Sequence, residues 1–535
     1  MTKGSVLALT ISIDALSPFE LSLYLEKQIQ SAPDAPILNA GRGNPNWTAP
    51  VPREAFFLLG QFAVQETRKS SSALVGKQIK AAPERMGRLQ TFLTTHPGPG
   101  ADFLNWLCQA DQQLLGMMPA AWVSAACDAV IGDNYPAPVR CLSVCEQPLK
   151  AYMIRELFDD RQVPLDVFPV EGGTAGICYL FDTLMHTGLL AAGDRIALLL
   201  PTFAPYLEIP KLPHYAFDVV RIKAQRVTTG DRASYVYPQA EIEKLRDPKV
   251  KAAFVVNPSN PTANAMGLEN ISQIEAIVNT DRPDLMILTD DVYGTFVPHF
   301  LSLFAALPHN TACLYSFSKY FGATGWRVGA IALAKDNVFD ELIDQLPKAV
   351  KAKVSARYQS IASESTTVSF IDRIVADSRD IALNHAAGLS TVQQVMIALF
   401  SLYGLMDEGQ AYKDEVVATC RAREQQLFST LGLTRPAPAR DTAYYCDIDL
   451  LAWGTQRYGA VFARYLKQHW TTTRLLVALA QQQHLMLLKT SPFGSDTWSV
   501  RVSLANLPTH DYAEVGKRII ALFDHLQMAC ETEAK

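Results

Sequence analysis

The chain lacks the features that would direct it to nucleic acid, a metal or a membrane. Its 48 lysines and arginines are outnumbered by 53 aspartates and glutamates, giving a net charge of −5. A nucleic-acid footprint needs the opposite balance. Its nine cysteines are scattered. The nearest pair, Cys141 and Cys145, does not have the CxxC or CxxH spacing of a zinc site. Reduced core thiols in a cytoplasmic protein are therefore expected, and no metal. No apolar run approaches the roughly 18 residues of a membrane span. Residues 6–13 are apolar but interrupted by Thr10 and Ser12, and they lack the length and small-residue cleavage pattern of a signal peptide. There is no internal repeat and no low-complexity tract. What remains is 49% hydrophobic and 19% charged over 535 residues, ordinary for a soluble enzyme of more than one domain.

Between about 165 and 335, short apolar strands alternate with helical stretches. Strands are expected at 195–200, 217–222, 252–256, 285–289, 312–316 and 328–332. This rhythm predicts an α/β core with a mostly parallel sheet. Ligands of such sheets sit at the carboxyl ends of the strands, so the residues just after each strand carry the most information. After the strand at 312–316 come Ser316, Phe317, Ser318 and Lys319, then glycines, then Arg327. A lysine at the mouth of a strand can form a Schiff base if its surroundings lower its pKa. The hydroxyls of Ser316 and Ser318 and the planar fork of Arg327 suit a phosphate. An isolated SxSK would read as a loop lysine; the glycine and arginine spacing favours a site. A lysine beside a phosphate site points to pyridoxal 5'-phosphate, an aldehyde carrying one phosphate.

This pattern resembles the signature of the fold-type I aminotransferases, and other motifs follow in the order the resemblance requires. The resemblance implies that Asp290, ending the strand 285–289, pairs with the pyridine nitrogen of the cofactor. It implies that Tyr293 and the Asn260 of Asn257-Pro258-Ser259-Asn260-Pro261-Thr262 reach the ring oxygen; Ala263 stands where the family has glycine. Gly173, Thr174 and Ala175, opening a helix after a strand, match the phosphate cradle, and helix-start amides favour anions. Phe203 holds the position of the aromatic that stacks on the ring. Tyr135 matches the tyrosine that reaches the phosphate of a neighbouring subunit, or is a turn tyrosine. Taken singly, each of these motifs has an ordinary reading as a turn, a cap or core packing.

The expected architecture is a fold-type I, pyridoxal-phosphate-dependent transferase-like fold. It has a mostly parallel central sheet with helices on both faces, a smaller α+β domain and a helical insertion. Residues 1–50 read as an N-terminal arm, 51–135 as the insertion, 136–384 as the large cofactor-binding domain and 385–535 as the small domain. The insertion reads as added packing helices used in oligomer contacts.

Arg501 matches the small-domain arginine that grips a substrate α-carboxylate. A second carboxylate needs another cation. Arg379, five residues before Asn384, matches the arginine that aspartate aminotransferases supply from the partner subunit. Arg42, between two glycines, is the other candidate, and a surface salt bridge is the alternative for both. The set GRGNPNW, NYPAPVR, VEGGTAG, ILTDDVYGTF, YSFSKYFGATGWR, LNHAAGLST and SLANL resembles the aspartate 4-decarboxylases, from about residue 16 nearly to the C-terminus. That resemblance implies conversion of L-aspartate to L-alanine and carbon dioxide with Lys319 as the proton-transferring residue. It also implies dimers that share active sites and assemble to a dodecamer. Aspartate transamination uses the same motifs and stays open.

Overall fold

In the computed structural model the described residues are 13, 16, 18–29, 36–69, 74–76, 84–229, 232–362, 368–379, 388–434, 440–490 and 498–533. Residues 6–12 and the 383–387 part of the LNHAAGLST motif lie outside them. The large sheet has seven strands: β1 Leu165–Val170, β2 Arg195–Leu200, β3 Asp218–Lys223, β4 Val250–Val256, β5 Met286–Asp290, β6 Thr311–Ser316 and β7 Gly329–Ala334. Their order across the sheet is β1-β7-β6-β5-β4-β2-β3. The predicted strands are all present. β2 matches to the residue, and the others are displaced or extended by one or two residues at their ends.

The strands are apolar at consecutive positions because both faces are covered, as in parallel sheets generally. Along β2, Ile196, Leu198 and Leu200 pack on one side with Ile177, Phe181 and Leu184 of the helix Gly173–His186. Ala197 and Leu199 face the other side, against Ile274 and Ile277 of the helix Leu268–Thr280. Every one of these side chains is buried.

Strand direction brings the loops together. β6, β5, β4, β2 and β3 run parallel, so their carboxyl ends share one edge. β7 is antiparallel to β6 and to β1, and Gly329 lies opposite both Ser316 and Val170. One register therefore sets the end of β1, the end of β6 and the segment leading into β7 side by side. The glycines after Val170, the serines around Lys319 and Arg327 become neighbours although they span more than 150 residues of sequence.

A second body carries a three-stranded sheet, Tyr445–Asp449, Ser499–Ser503 and Leu488–Lys489, with Ser499–Ser503 in the middle. The N-terminal segment joins it: Leu38–Asn39 pairs in parallel with Leu485–Met486. The segment 39–46 is also tied down by Ser503 N–H on the Ala40 carbonyl, Asn46 N–H on the Ala505 carbonyl and Arg423 Nη2 on Asn46 Oδ1. A hairpin, Gln225–Thr229 with Arg232–Val236, reaches toward this body, where the Tyr235 hydroxyl donates to Asp447. The sequence reading did not foresee it.

Residues 50–131 form helices at Pro50–Arg68, Arg85–Thr94, Pro99–Leu107, Gln112–Leu115 and Pro119–Ile131. Helix Thr391–Met406 packs on Ser143–Leu157 and on these insertion helices, in the core of the large body rather than of the small one. By length and composition Gln112–Ile131 is apolar enough to cross a bilayer. The stretch breaks at Gly116, which is left-handed, and at Pro119. Its Leu115, Trp122, Val123, Ala126 and Cys127 are buried in the insertion core.

The loop that carries Lys319 depends on one glycine. Gly322 has φ +59°, and a Cβ there would stand 1.9 Å from the carbonyl oxygen of Trp47. Backbone cannot yield as a side chain does, so strain and overlap combine. Gly322→Ala is expected to destabilise the protein by about 2 kcal/mol or more, read as a lowered Tm, with loss of soluble protein as the extreme case. A wild-type Tm would show that the Trp47 segment is free to move.

Candidate active site

At the common edge of the strands is a cavity of about 360 Å³. Lys319, Gly173, Thr174, Phe203, Asn260, Asp290, Tyr293, Ser316, Ser318, Arg327 and Arg501 all line it. Ala175 lies behind Thr174 in the first turn of the helix Gly173–His186. The amides of a first helical turn have no partner within the helix, and here Gly173 stands beside Ser316. Ser316 and Ser318 hydroxyls are 3.0 Å apart. Arg327 is held by the carbonyls of Thr324 and Glu171 and takes left-handed backbone, φ 54°. Gly172, φ +90°, lies flat beneath it; a Cβ there would meet the guanidinium at 2.7 Å. Amides, two hydroxyls and a guanidinium make a cradle for a phosphate dianion.

The Lys319 amine donates to the Gly43 carbonyl at 3.0 Å. Burial pushes its pKa down, and Arg501 and Arg327 add to the effect, while Tyr445 and Asp290 act against it. A lysine so placed reaches its neutral, nucleophilic form more readily than one in water.

Asp290 ends β5 and is buried, accepting from the Tyr206 hydroxyl at 3.2 Å and the Val292 amide at 3.3 Å. Burial raises its carboxyl to about 6, opposed by those two hydrogen bonds and by Lys319. A cation brought against it, such as a protonated pyridine nitrogen, would draw that value down. Asp291 points the other way. It accepts from Thr289 at 2.6 Å, from the Ser302 hydroxyl and from the Cys313 thiol at 3.4 Å, and burial lifts it to about 7. Burial holds Tyr293 well above the usual phenol range, so it stays a neutral donor.

Arg501, in the middle strand of the small sheet, donates to Asn260 Oδ1 at 2.9 Å and to the Gly41 carbonyl at 2.6 Å. It thus joins the N-terminal segment, the small body and the large body at the cavity wall.

The other candidates lie elsewhere in the single chain. Arg42 does not enter the cavity: its side chain is 60% exposed and paired with Glu26 at 2.8 Å. Its neighbours Gly43 and Asn44 line the cavity instead. Arg379 is buried with Nη2 on the Val139 carbonyl at 2.7 Å, and does not line the cavity of its own chain. Tyr135 is 68% exposed and outside it. Sequence reasoning missed Tyr445, which lines the cavity with its hydroxyl 2.9 Å from that of Tyr293, and Tyr206, the partner of Asp290. Tyr206 lies three residues after Phe203, in the short helix Pro205–Glu208, a spacing that could have pointed to it; nothing local marked Tyr445.

Asp290 and Asp291 give a pH test on the protein without cofactor. Both carboxyls are raised in the folded state above the ordinary value of 3.8. The native protein therefore holds protons that the unfolded chain has released. Stability falls as pH rises from about 4 and levels off near pH 7, with each raised carboxyl contributing a slope of up to about 1.4 kcal/mol per pH unit. Asp291→Asn is expected to flatten this slope in denaturant titrations between pH 4 and 7; an unchanged slope would contradict the assignment.

Comparison with known proteins agrees with this geometry. Residues 170–519 match the profile of aminotransferase class I and II. The chain is 44% identical over 520 residues to a bifunctional aspartate aminotransferase and L-aspartate beta-decarboxylase from a Pseudomonas species, covering 96% of this chain and 97% of that one. An aspartate/prephenate aminotransferase of Nitrosomonas europaea is 25% identical over 233 residues, covering 41% of this chain and 55% of that protein. Among solved structures, N-succinyldiaminopimelate aminotransferase from Mycobacterium tuberculosis superposes with a TM-score of 0.55 at 16% identity, covering 96% of this chain and all of that one. A double mutant of Thermus thermophilus aspartate aminotransferase gives 0.53 at 16%, covering 98% of this chain and all of that one. The chain belongs to the aminotransferase class I and II family of pyridoxal-phosphate-dependent enzymes.

Proposed function

We propose that this protein is a pyridoxal-phosphate-dependent carboxy-lyase that converts L-aspartate to L-alanine and carbon dioxide. The observation that carries the reading is the cavity itself. It places a lysine of lowered pKa between an anion cradle at Arg327 and a carboxylate-binding guanidinium at Arg501, with a buried carboxylate at its floor. The 44% identity to a bifunctional aspartate aminotransferase and decarboxylase over nearly the whole chain supports aspartate as substrate. It also makes transamination of aspartate the second reading.

The residues fit the cofactor. Gly173, Thr174, Ala175, Ser316, Ser318 and Arg327 would hold its phosphate, Asp290 its ring nitrogen, Tyr293 and Asn260 its ring hydroxyl, Phe203 a ring face and Lys319 its aldehyde carbon. Bound there, pyridoxal phosphate supplies an electron sink for the pair left when a bond to the substrate breaks. The protein supplies orientation and proton transfer. Arg501 fixes the α-carboxylate with a planar fork, and so fixes which bond at Cα is exposed to attack. The Lys319 amine removes the α-proton and later returns it. The β-carboxylate leaves as carbon dioxide when no cation pins it, because a tightly paired carboxylate would lose its partner as its charge disappears, and Cβ takes up a proton in its place. Transamination follows when water reaches the site first.

Arg42 is our candidate for the cation that guides the β-carboxylate in. Its backbone neighbours already line the cavity, and its present partner is an exposed ion pair of the kind that contributes little. Arg379 is the candidate to act across subunits, as is Tyr135 at the phosphate of a neighbouring chain. We take the protein to be a cytoplasmic homodimer whose dimers assemble further, to a dodecamer. Phe57 and Val64, exposed on the insertion helix beside a groove of about 540 Å³, support such contacts.

Purified holoenzyme given L-aspartate and no 2-oxo acid is expected to release alanine and carbon dioxide over many turnovers. Formation of one equivalent per site of the 2-oxo acid of aspartate, with no alanine or carbon dioxide, would leave only the transaminase. Lys319→Ala is expected to abolish both turnover and the visible absorbance of the bound cofactor, and retention of either would overturn its role. Arg42→Ala is expected to raise KM for aspartate by about tenfold, within the range for losing a charged hydrogen bond, with kcat changed far less. An unmoved KM would return the arginine to the surface.

A further inference from the structure

Tyr445 belongs to none of the motifs, yet it touches two parts of the site. It stands at the end of the strand Tyr445–Asp449, antiparallel to the strand of Arg501, with Tyr445 opposite Ser503. The guanidinium carbon of Arg501 lies 4.4 Å from the centroid of its ring. Its hydroxyl is 2.9 Å from the hydroxyl of Tyr293. The backbone of Gly43 makes room for it: a Cβ at 43 would stand 2.5 Å from the Tyr445 hydroxyl and 3.8 Å from the Lys319 amine.

Each contact has a consequence. A cation over an aromatic face is held against the ring while its edge stays open. The edge of Arg501 is the side that already meets Asn260 and Gly41, and the side that a carboxylate would take. Two hydroxyls within hydrogen-bond distance can share only one hydrogen. If Tyr445 donates to Tyr293, the hydrogen of Tyr293 is left for an acceptor in the cavity, and donation into its oxygen strengthens it as a donor.

We infer that Tyr445 is a positioning residue for both halves of the site. Its ring sets the plane of Arg501 for the substrate carboxylate, and its hydroxyl aims and strengthens the O–H of Tyr293 toward the ring oxygen of the cofactor. The inference rests on the proposed function for the identity of that cofactor, not for the choice between decarboxylation and transamination. A stronger Tyr293 donor favours the deprotonated ring oxygen, and with it the form of the lysine-linked cofactor that has lost its proton.

The test uses holoenzyme of the wild type, Tyr445→Phe and Tyr445→Leu, with three readouts. These are the pH midpoint of the cofactor absorbance, the Kd of succinate read by its perturbation of that absorbance, and alanine release from aspartate. Tyr445→Phe keeps the ring and loses the hydroxyl; its midpoint is expected to rise by about half a pH unit, with succinate affinity within about twofold. Tyr445→Leu loses both, and its succinate Kd is expected to rise by up to about tenfold. A wild-type midpoint in Tyr445→Phe overturns the role of the hydroxyl, and wild-type succinate affinity in Tyr445→Leu overturns that of the ring. Should the leucine variant not fold, the near-isosteric phenylalanine variant still decides the hydroxyl's role. Failure of the wild type to release alanine, with the midpoint shift intact, would count against the decarboxylase reading and leave Tyr445 in place.

Discussion

Lys319 is surrounded by like charge. Arg327 lies toward one end of its cavity and Arg501 toward the other, and the nearest carboxylate, Asp290, is buried at the floor without an ion-pair contact to the amine. Burial first, and the two guanidiniums after it, make an ammonium unfavourable there, so the amine is pushed toward its neutral form. The two guanidiniums make the cavity attractive to a ligand with two separated anionic groups. A phosphate at one end and a carboxylate at the other would neutralise the guanidiniums and leave the amine between them to react. Most of the local structure serves this arrangement. The register of β7 brings the cradle to the lysine, Gly322 turns the loop beyond it, and the small sheet presents Arg501 from across the cleft.

The two adjacent aspartates divide the carboxylate chemistry by direction. Successive residues at a strand end point to opposite sides, so Asp290 faces the cavity and Asp291 faces the interior. Asp290 has two hydrogen-bond donors in the protein, few for a buried anion, and is thus available to a cationic ligand. Asp291 has a serine, a threonine and a cysteine around it, and it fastens the β5 loop to Ser302 and to β6. The interior aspartate stiffens the element from which the other one acts.

Much of this was legible in the sequence because the site is built at strand ends. The strands are written as apolar runs, and the residue following such a run in a parallel sheet is confined to one edge. Lys319, Asp290, Asn260, Phe203 and Gly173 are all of that kind, and all meet in the cavity. Tyr445 was not legible. It lies in the small body, where strands are short and the segment before it has no local pattern. Its place depends on how that sheet docks against the large one. The side-chain position of Arg42 was not legible for a related reason. The glycines on either side signalled close backbone approach, and Gly43 does approach Lys319, but backbone proximity does not fix where a long side chain goes. The roles proposed for Arg379 and Tyr135 would belong to an assembly, which no periodicity within one chain encodes.

The choice between losing carbon dioxide and passing on an amino group turns on how the second carboxylate is treated. Among the described residues, the cations lining the cavity of a single chain are Lys319, Arg327 and Arg501, and the proposed reaction occupies each of them: one with the reacting centre, one with phosphate, one with the α-carboxylate. Among the described residues of a single chain, a β-carboxylate entering this cavity would find no further cation lining it. Arg42 stands outside on an exposed ion pair, able to meet the carboxylate on entry without the rigid hold of a buried fork. A carboxylate guided in but not clamped keeps the freedom to lose its charge. That freedom separates the decarboxylation path from the transamination path that the same motifs allow.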